Sequence, residues 1–301
     1  TPKALSVTKG RGDLSKLYAI SDLHAALESN RQAITDLEEH PDDWLIVAGD
    51  VAERPDQLWE VLELLKERFA KVIWTPGNHE LWTIQEGGTS IAGEAKYELM
   101  VEVARSAGAI TPEDPFPHWQ GPGGDCVIVP LFLLYDYSFR PREVSEEQVV
   151  AWAAEERAVC SDEVLLSPTP YPSRQAWCAE RIRKTCARLE RELPEELPTV
   201  LVNHYPLREE FVFLPRVPRF APWCGTRATA DWHRRYRALA CVSGHLHIRR
   251  TDWRDGTRFE EVSLGYPKQW RQDAGLKPYL RQILPGPPGP AEEPGTIFHG
   301  R

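Results

Sequence analysis

The sequence predicts a layered α/β fold, and three observations predict it. Short apolar runs alternate with amphipathic stretches from Leu17 to His79. Five apolar runs, spread from residue 17 to residue 247, end in aspartate, asparagine or histidine. The composition, 42% hydrophobic and 27% charged over 301 residues, is that of a globular chain long enough for a deep core.

The elements follow in order. Residues 17–21 are apolar and end at Asp22, which reads as a buried strand. Residues 28–37 carry a helical pattern, and 44–48 form a second strand ending at Gly49-Asp50. Residues 58–69 make an amphipathic helix with Leu58, Val61, Leu62, Leu65 and Phe69 on one face. Residues 72–75 form a third strand, ending at Pro76-Gly77-Asn78-His79. This strand–helix rhythm is the one a layered α/β core requires. Helical patterns recur at 94–107, 146–158 and 174–193, and strands at 127–134 and 259–264. Short buried strands at 200–202 and 239–242 end at Asn203-His204 and Gly244-His245. These elements predict one domain over 1–284, with insertions at about 81–125, 136–198 and 205–227. The tail, 285–301, is rich in Pro and Gly and reads as disordered or draped.

Bulk properties narrow the partners. A net charge of −9 argues against a long nucleic-acid ligand. No apolar stretch is long enough to span a membrane, and residues 1–16 contain no hydrophobic leader. None of Cys126, Cys160, Cys178, Cys186, Cys224 and Cys241 forms a CxxC pair, so they read as buried, reduced thiols of a cytoplasmic protein.

The polar residues at the run ends are Asp22-Leu23-His24, Gly49-Asp50, Gly77-Asn78-His79, Asn203-His204 and Gly244-His245-Leu246-His247. Carboxyl ends of strands converge on one crevice in layered α/β folds, so residues far apart in sequence can share a site. Imidazole and carboxylate suit first-row transition metals. Asp50 is the natural bridge between two ions. In extended segments Asp22-x-His24 and His245-x-His247 would each place both ligands on one side. Each piece alone is weak, because a histidine at a strand end is usually a satisfied polar residue. The ordered set of five is specific.

That ordered set resembles the calcineurin-like metallophosphoesterases, whose pattern is Asp-x-His, Gly-Asp, Gly-Asn-His-Glu/Asp, His and Gly-His-x-His. The resemblance runs from Asp22 to His247. It implies a four-layer sandwich, two mixed β-sheets flanked by helices, with inserted lid or cap segments. It implies one metal on Asp22, His24, Asp50 and His247 and a second on Asp50, Asn78, His204 and His245. It also implies two divalent transition-metal ions (Mn, Fe, Zn, Ni or Co), with Mn expected to activate. A hydroxide bridging them would attack phosphorus in line. His79 would face the phosphate as a proton donor or charge stabiliser, oriented by Glu80. The run Asp50-Val51-Ala52-Glu53-Arg54 is similar to the Gly-Asp-x-x-Asp-Arg block of the protein serine/threonine phosphatases, with Glu for the second Asp. This makes Arg54 a candidate phosphate ligand. Ala25 departs from the glycine that those phosphatases carry after Asp-x-His.

Three segments are candidates for covering the site. Residues 81–93 come directly after His79 and include Trp82. Tyr135, Tyr137, Phe139 and Arg140 form an aromatic and cationic cluster suited to stacking and phosphate contact. Residues 205–226 combine prolines with Arg208, Arg216 and Arg219 and read as a stiff, basic lid. Tyr137, Arg140 and Arg216 join Arg54 and Asn78 as expected phosphate or substrate contacts. The predicted activity is hydrolysis of a small phosphate ester, with monoesters slightly favoured because Arg54 and a basic lid suit a terminal dianion. The alternatives are a phosphodiesterase acting on cyclic nucleotides or short nucleic acid, and a non-catalytic binding protein on the same fold.

Overall fold

Sequence pattern and strand pairing together explain why the ligand-type residues reach one edge. The computed structural model describes residues 15–84, 90–287 and 295–300. Its strands are β1 (Leu17–Ile20), β2 (His40–Val47), β3 (Phe69–Trp74), β4 (His118–Trp119), β5 (Cys126–Pro130), β6 (Thr199–Val202), β7 (Ala238–Ser243), β8 (Arg250–Arg254), β9 (Thr257–Glu261), β10 (Arg281–Leu284) and β11 (Ile297–Phe298). They form two mixed sheets, ordered β10-β1-β2-β3 and β11-β8-β9-β7-β6-β5-β4. β1, β2 and β3 are mutually parallel in the first sheet. β5, β6, β7 and β9 are parallel in the second. Parallel strands covered on both faces read as continuous apolar runs, which is the pattern seen here.

The two faces of each strand divide the core. Leu17, Ala19, Ile46, Ala48 and Ile73 of the first sheet pack on Ile128, Val200, Val202, Ala240 and Val242 of the second. The alternate residues Ile20, Leu45, Val47, Val72 and Trp74 face outward against helices. Those helices are α1 (Glu28–Thr35), α2 (Pro55–Arg68) and α3 (Gly93–Ser106). α2 buries Leu58, Val61, Leu62 and Leu65, the face its periodicity marks. Two short helices come next, α4 (Val149–Glu155) and α5 (Asp162–Leu165), and then the long α6 (Arg174–Glu192). Val127, Val129, Leu201 and Cys241, on the far face of the second sheet, pack with Leu189 of α6 and with Trp232 and Tyr236. The result is helix, sheet, sheet, helix.

The strand expected over 127–134 ends at Pro130, and Leu131–Leu134 continue as buried irregular chain. The tail is ordered where it is described: β11 adds to the edge of β8, with Ile297 opposite Thr251. Residues 85–89 of the expected glycine-rich cover and 288–294 of the tail lie outside the described residues. No described helix is long and apolar enough to cross a membrane.

Candidate metal centre

The turns after β1, β2, β3, β6 and β7 supply Asp22, His24, Asp50, Asn78, His204 and His245, and His247 stands on the same loop as His245. All seven are brought to one cleft or stand directly beneath it. Ligand atoms of Asp22, His24 and His247 lie within 4.8 Å of one another, as do those of Asp50, His204 and His245. His24, Asp50 and His79 make a third such group, between the other two.

The local backbone differs from the expected extended Asp-x-His and His-x-His segments. Asp22, His24, Asp50, His245 and His247 have φ of 53°, 41°, 54°, 73° and 53°. For a residue with a Cβ this left-handed conformation costs about 1–2 kcal/mol. The paired ligands therefore meet by tight turning and not by strand alternation. Backbone bonds hold the turns: Asp22 donates to the Gly49 carbonyl at 2.9 Å and His24 to that of Asp50 at 3.0 Å. Gly49 has φ +90°, and a Cβ there would stand 2.6 Å from both Gly77 N and His204 Nδ1. A Cβ on Gly77 would stand 2.1 Å from Asp50 Oδ1. The glycines are the space in which the carboxylate sits.

Each ligand is fixed by a partner behind it. Asp22 accepts from Ser21 Oγ at 2.6 Å, Ser263 Oγ at 2.7 Å and the His245 amide at 3.0 Å. His204 Nδ1 donates to the Ala48 carbonyl at 2.8 Å, which leaves Nε2 facing Asp50 Oδ2 at 3.4 Å. His247 Nδ1 meets Gln269 Oε1 at 2.8 Å. Asn78 Nδ2 donates to Asp162 Oδ1 at 3.0 Å, which turns its Oδ1 the other way. Such contacts set ligand tautomer and orientation.

The donor set fits divalent metal ions. Asn78 Oδ1, His204 Nε2 and His245 Nε2 are buried atoms without a hydrogen-bond partner. A buried polar atom left so costs about 1–3 kcal/mol, and a bound cation removes that cost. His24 Nε2 and His247 Nε2 face each other at 3.2 Å beside the Asp22 carboxylate, a convergence of lone pairs that a cation relieves. Burial holds His24 down to about 4 and His245 down to about 3, so both rings are neutral, the form that ligates.

His79 stands at the cleft wall, and its partner is Glu53 rather than Glu80. His79 Nδ1 lies 2.7 Å from Glu53 Oε1, and its ring packs on Trp82 with centroids 3.7 Å apart. Burial opposes a charge on this ring, but Asp50 and Glu53 outweigh it and raise its pKa to about 9. Glu80 points away and accepts the backbone amides of Gly77 at 2.7 Å, Asp50 at 3.0 Å and Val51 at 2.6 Å. It ties the β2 and β3 turns together. Burial, with the Asp50 charge adding to it, raises Glu80 to about 7.

Of the expected substrate contacts, Asn78 lines the cleft, and Arg54, Tyr137, Arg140 and Arg216 stand elsewhere. The Arg54 guanidinium pairs with Asp56 at 3.1 Å and lines a separate cleft with Glu53, Pro55 and Lys96. Tyr137 is buried, with its hydroxyl between Glu163 and Arg174. Arg140 donates to the carbonyls of Val144 at 2.8 Å and Tyr137 at 3.1 Å. Both residues close a loop. In the proline-rich segment, Arg208 and Arg219 pair with Glu210 and Glu155. Arg216 is exposed and lines a neighbouring groove, not the metal cleft. The cleft, of about 390 Å³, is instead walled by Trp82, Phe220, Tyr266 and the 157–162 connector between α4 and α5. Tyr266 stacks on His24 at 4.7 Å. Asp162 had no signal in the sequence, since a lone aspartate before a short helix reads as a turn residue.

The model of the calcineurin-like phosphoesterases matches residues 15–249, which contain every strand-end turn described above. The chain belongs to this family. It is therefore a phosphoester-hydrolysing metalloenzyme. It is 54% identical over 275 residues to the acyl-carrier-protein phosphodiesterase PptH of Mycobacterium tuberculosis, covering 90% of this chain and 84% of that one. The crystal structure of the phosphopantetheinyl hydrolase (PptH) from Mycobacterium tuberculosis matches with a TM-score of 0.86 at 53% identity, over 92% of this chain and 98% of that one.

Proposed function

We propose that this enzyme is a phosphodiesterase that cleaves phosphopantetheine from a carrier protein. The observation that carries this is the 54% identity to PptH over 90% of the chain. The site supports a diester over the monoester that the sequence favoured. That expectation rested on Arg54 and a basic lid; Arg54 pairs with Asp56, Arg208 and Arg219 pair with neighbouring glutamates, and Arg216 lines the neighbouring groove and not the metal cleft. A diester also needs room on two sides of phosphorus, and the cleft continues past Leu214 and Leu246 into a second groove.

Asp22, His24, Asp50 and His247 would hold one divalent ion, and Asp50, Asn78, His204 and His245 the other, with manganese as the activating metal. When bound, such ions activate water and neutralise charge on the phosphate oxygens. The chain's own part is positioning and proton transfer. Glu53 fixes the His79 ring through Nδ1 and favours its charged form, so His79 Nε2 can donate a proton to the leaving serine oxygen. Trp82 holds the ring from its other face. Unpaired, mostly buried cysteines agree with a cytoplasmic setting.

The test is incubation of a phosphopantetheinylated carrier with manganese-loaded enzyme, read by intact mass. Loss of the phosphopantetheine mass is expected, together with preference for bis-p-nitrophenyl phosphate over p-nitrophenyl phosphate. An unchanged carrier and a preference for the monoester would sink the reading.

A further inference from the structure

A diester substrate has two unlike halves, and the cleft has two unlike exits. One exit is a groove of about 420 Å³ that shares Leu214, Val217, Leu246, His247 and Gln269 with the metal cleft. Its entrance, Leu214, Val217 and Leu246, is apolar, and Ile248 and Phe298 continue that wall outward. Phe298 comes from β11, so the tail strand is the element that gives the groove its far side. The Phe213 ring packs against it at 5.7 Å. No carboxylate side chain among the described residues lines this groove. Beyond the apolar entrance the lining is polar, with Arg216, Arg249, Gln269 and His299.

The other exit opens beside the connector between α4 and α5. Residues Arg157 to Asp162 form the rim, where Val159 is 76% exposed, and Val164, in the short helix that follows, is 87% exposed. They are the most exposed large apolar side chains among the described residues. A folded protein can cover such a rim but cannot enter a groove. A thin, uncharged arm gains little from an exposed rim and much from an enclosing wall.

We propose that the groove from His247 to Phe298 binds the pantetheine arm, and that the Val159–Val164 rim meets the carrier protein. This rests on the function proposed above. The arm's chemistry matches the groove: the dimethyl carbon next to the phosphate meets the apolar entrance, and the amides and thiol lie further out. Phosphorus is then held between the arm and the carrier serine, with the serine oxygen leaving on the rim side.

Three substrates separate the halves: the phosphopantetheinylated carrier, a short phosphopantetheinyl-serine peptide and bis-p-nitrophenyl phosphate. Phe298→Asp puts a charge in the groove, and Pro215→Trp narrows it without touching the metal cleft. Both should raise KM for carrier and peptide about tenfold and leave the bis-ester within about twofold. Val164→Asp should raise KM for the carrier alone. Groove variants that affect the carrier but spare the peptide would reverse the orientation. An unchanged KM for both, in two variants with wild-type melting temperatures, would overturn the groove assignment. Wild-type enzyme that cleaves the bis-ester but neither phosphopantetheinyl substrate would instead overturn the function on which it rests.

Discussion

The strand-end turns and the surface loops are both rich in polar side chains, yet they use them differently. At the strand ends, His204, His245 and Asn78 each keep a buried polar atom without a hydrogen-bond partner. In the loops, Tyr137, Arg140, Arg208 and Arg219 all find partners within the protein. A site is marked where such unpartnered atoms gather beside carboxylates, since isolated ones also occur elsewhere among the described residues, Arg208 Nε included. A loop rich in arginine and tyrosine is more often closing on itself.

That contrast can be broken by substitution. The largest effect is expected at the shared carboxylate: Asp50→Ala should remove bound metal, measured by elemental analysis, and lower kcat by about 10³-fold or more. His79→Ala should lower kcat by about 10²–10⁴-fold while both ions remain. Full activity there, with metal bound, would remove His79 from the mechanism. Asp162→Ala comes next, because it removes the acceptor of Asn78, Trp82 and Tyr135. Titration should show about 10–100-fold weaker binding of one manganese, with the other unaffected. The smallest effects belong to the loops. Tyr137→Phe should cost about 1 kcal/mol in denaturant melts and leave kcat/KM unchanged. Arg54→Ala should leave kcat/KM within about twofold, and a large fall in phosphate affinity would restore it as a substrate contact.

The same contrast explains which parts were legible. The layered fold and the seven candidate ligand residues could be named because the candidates come after buried apolar runs, and a parallel strand delivers its last residue to a known edge. Glu53 was visible only as a substitution within a block, and the role expected for Glu80 fell to it. The two carboxylates lie close in sequence, and only the turn decides which one faces the His79 ring. Asp162 and Gln269 were not legible, because they come from segments whose path depends on packing.

The resemblance to a known family implied the class of reaction; by itself the sequence determined the central strands, the longer helices and the polar residue types at the strand ends. These depend on local periodicity and on the residues just after each strand, all of which neighbouring positions encode. Only the tertiary structure decided which carboxylate serves His79, that Asn78 is held by Asp162, and that β11 walls the groove beside His247. Those contacts join residues 26, 84 and about 50 positions apart. No periodicity specifies a contact of that kind; it exists only once the two sheets have packed.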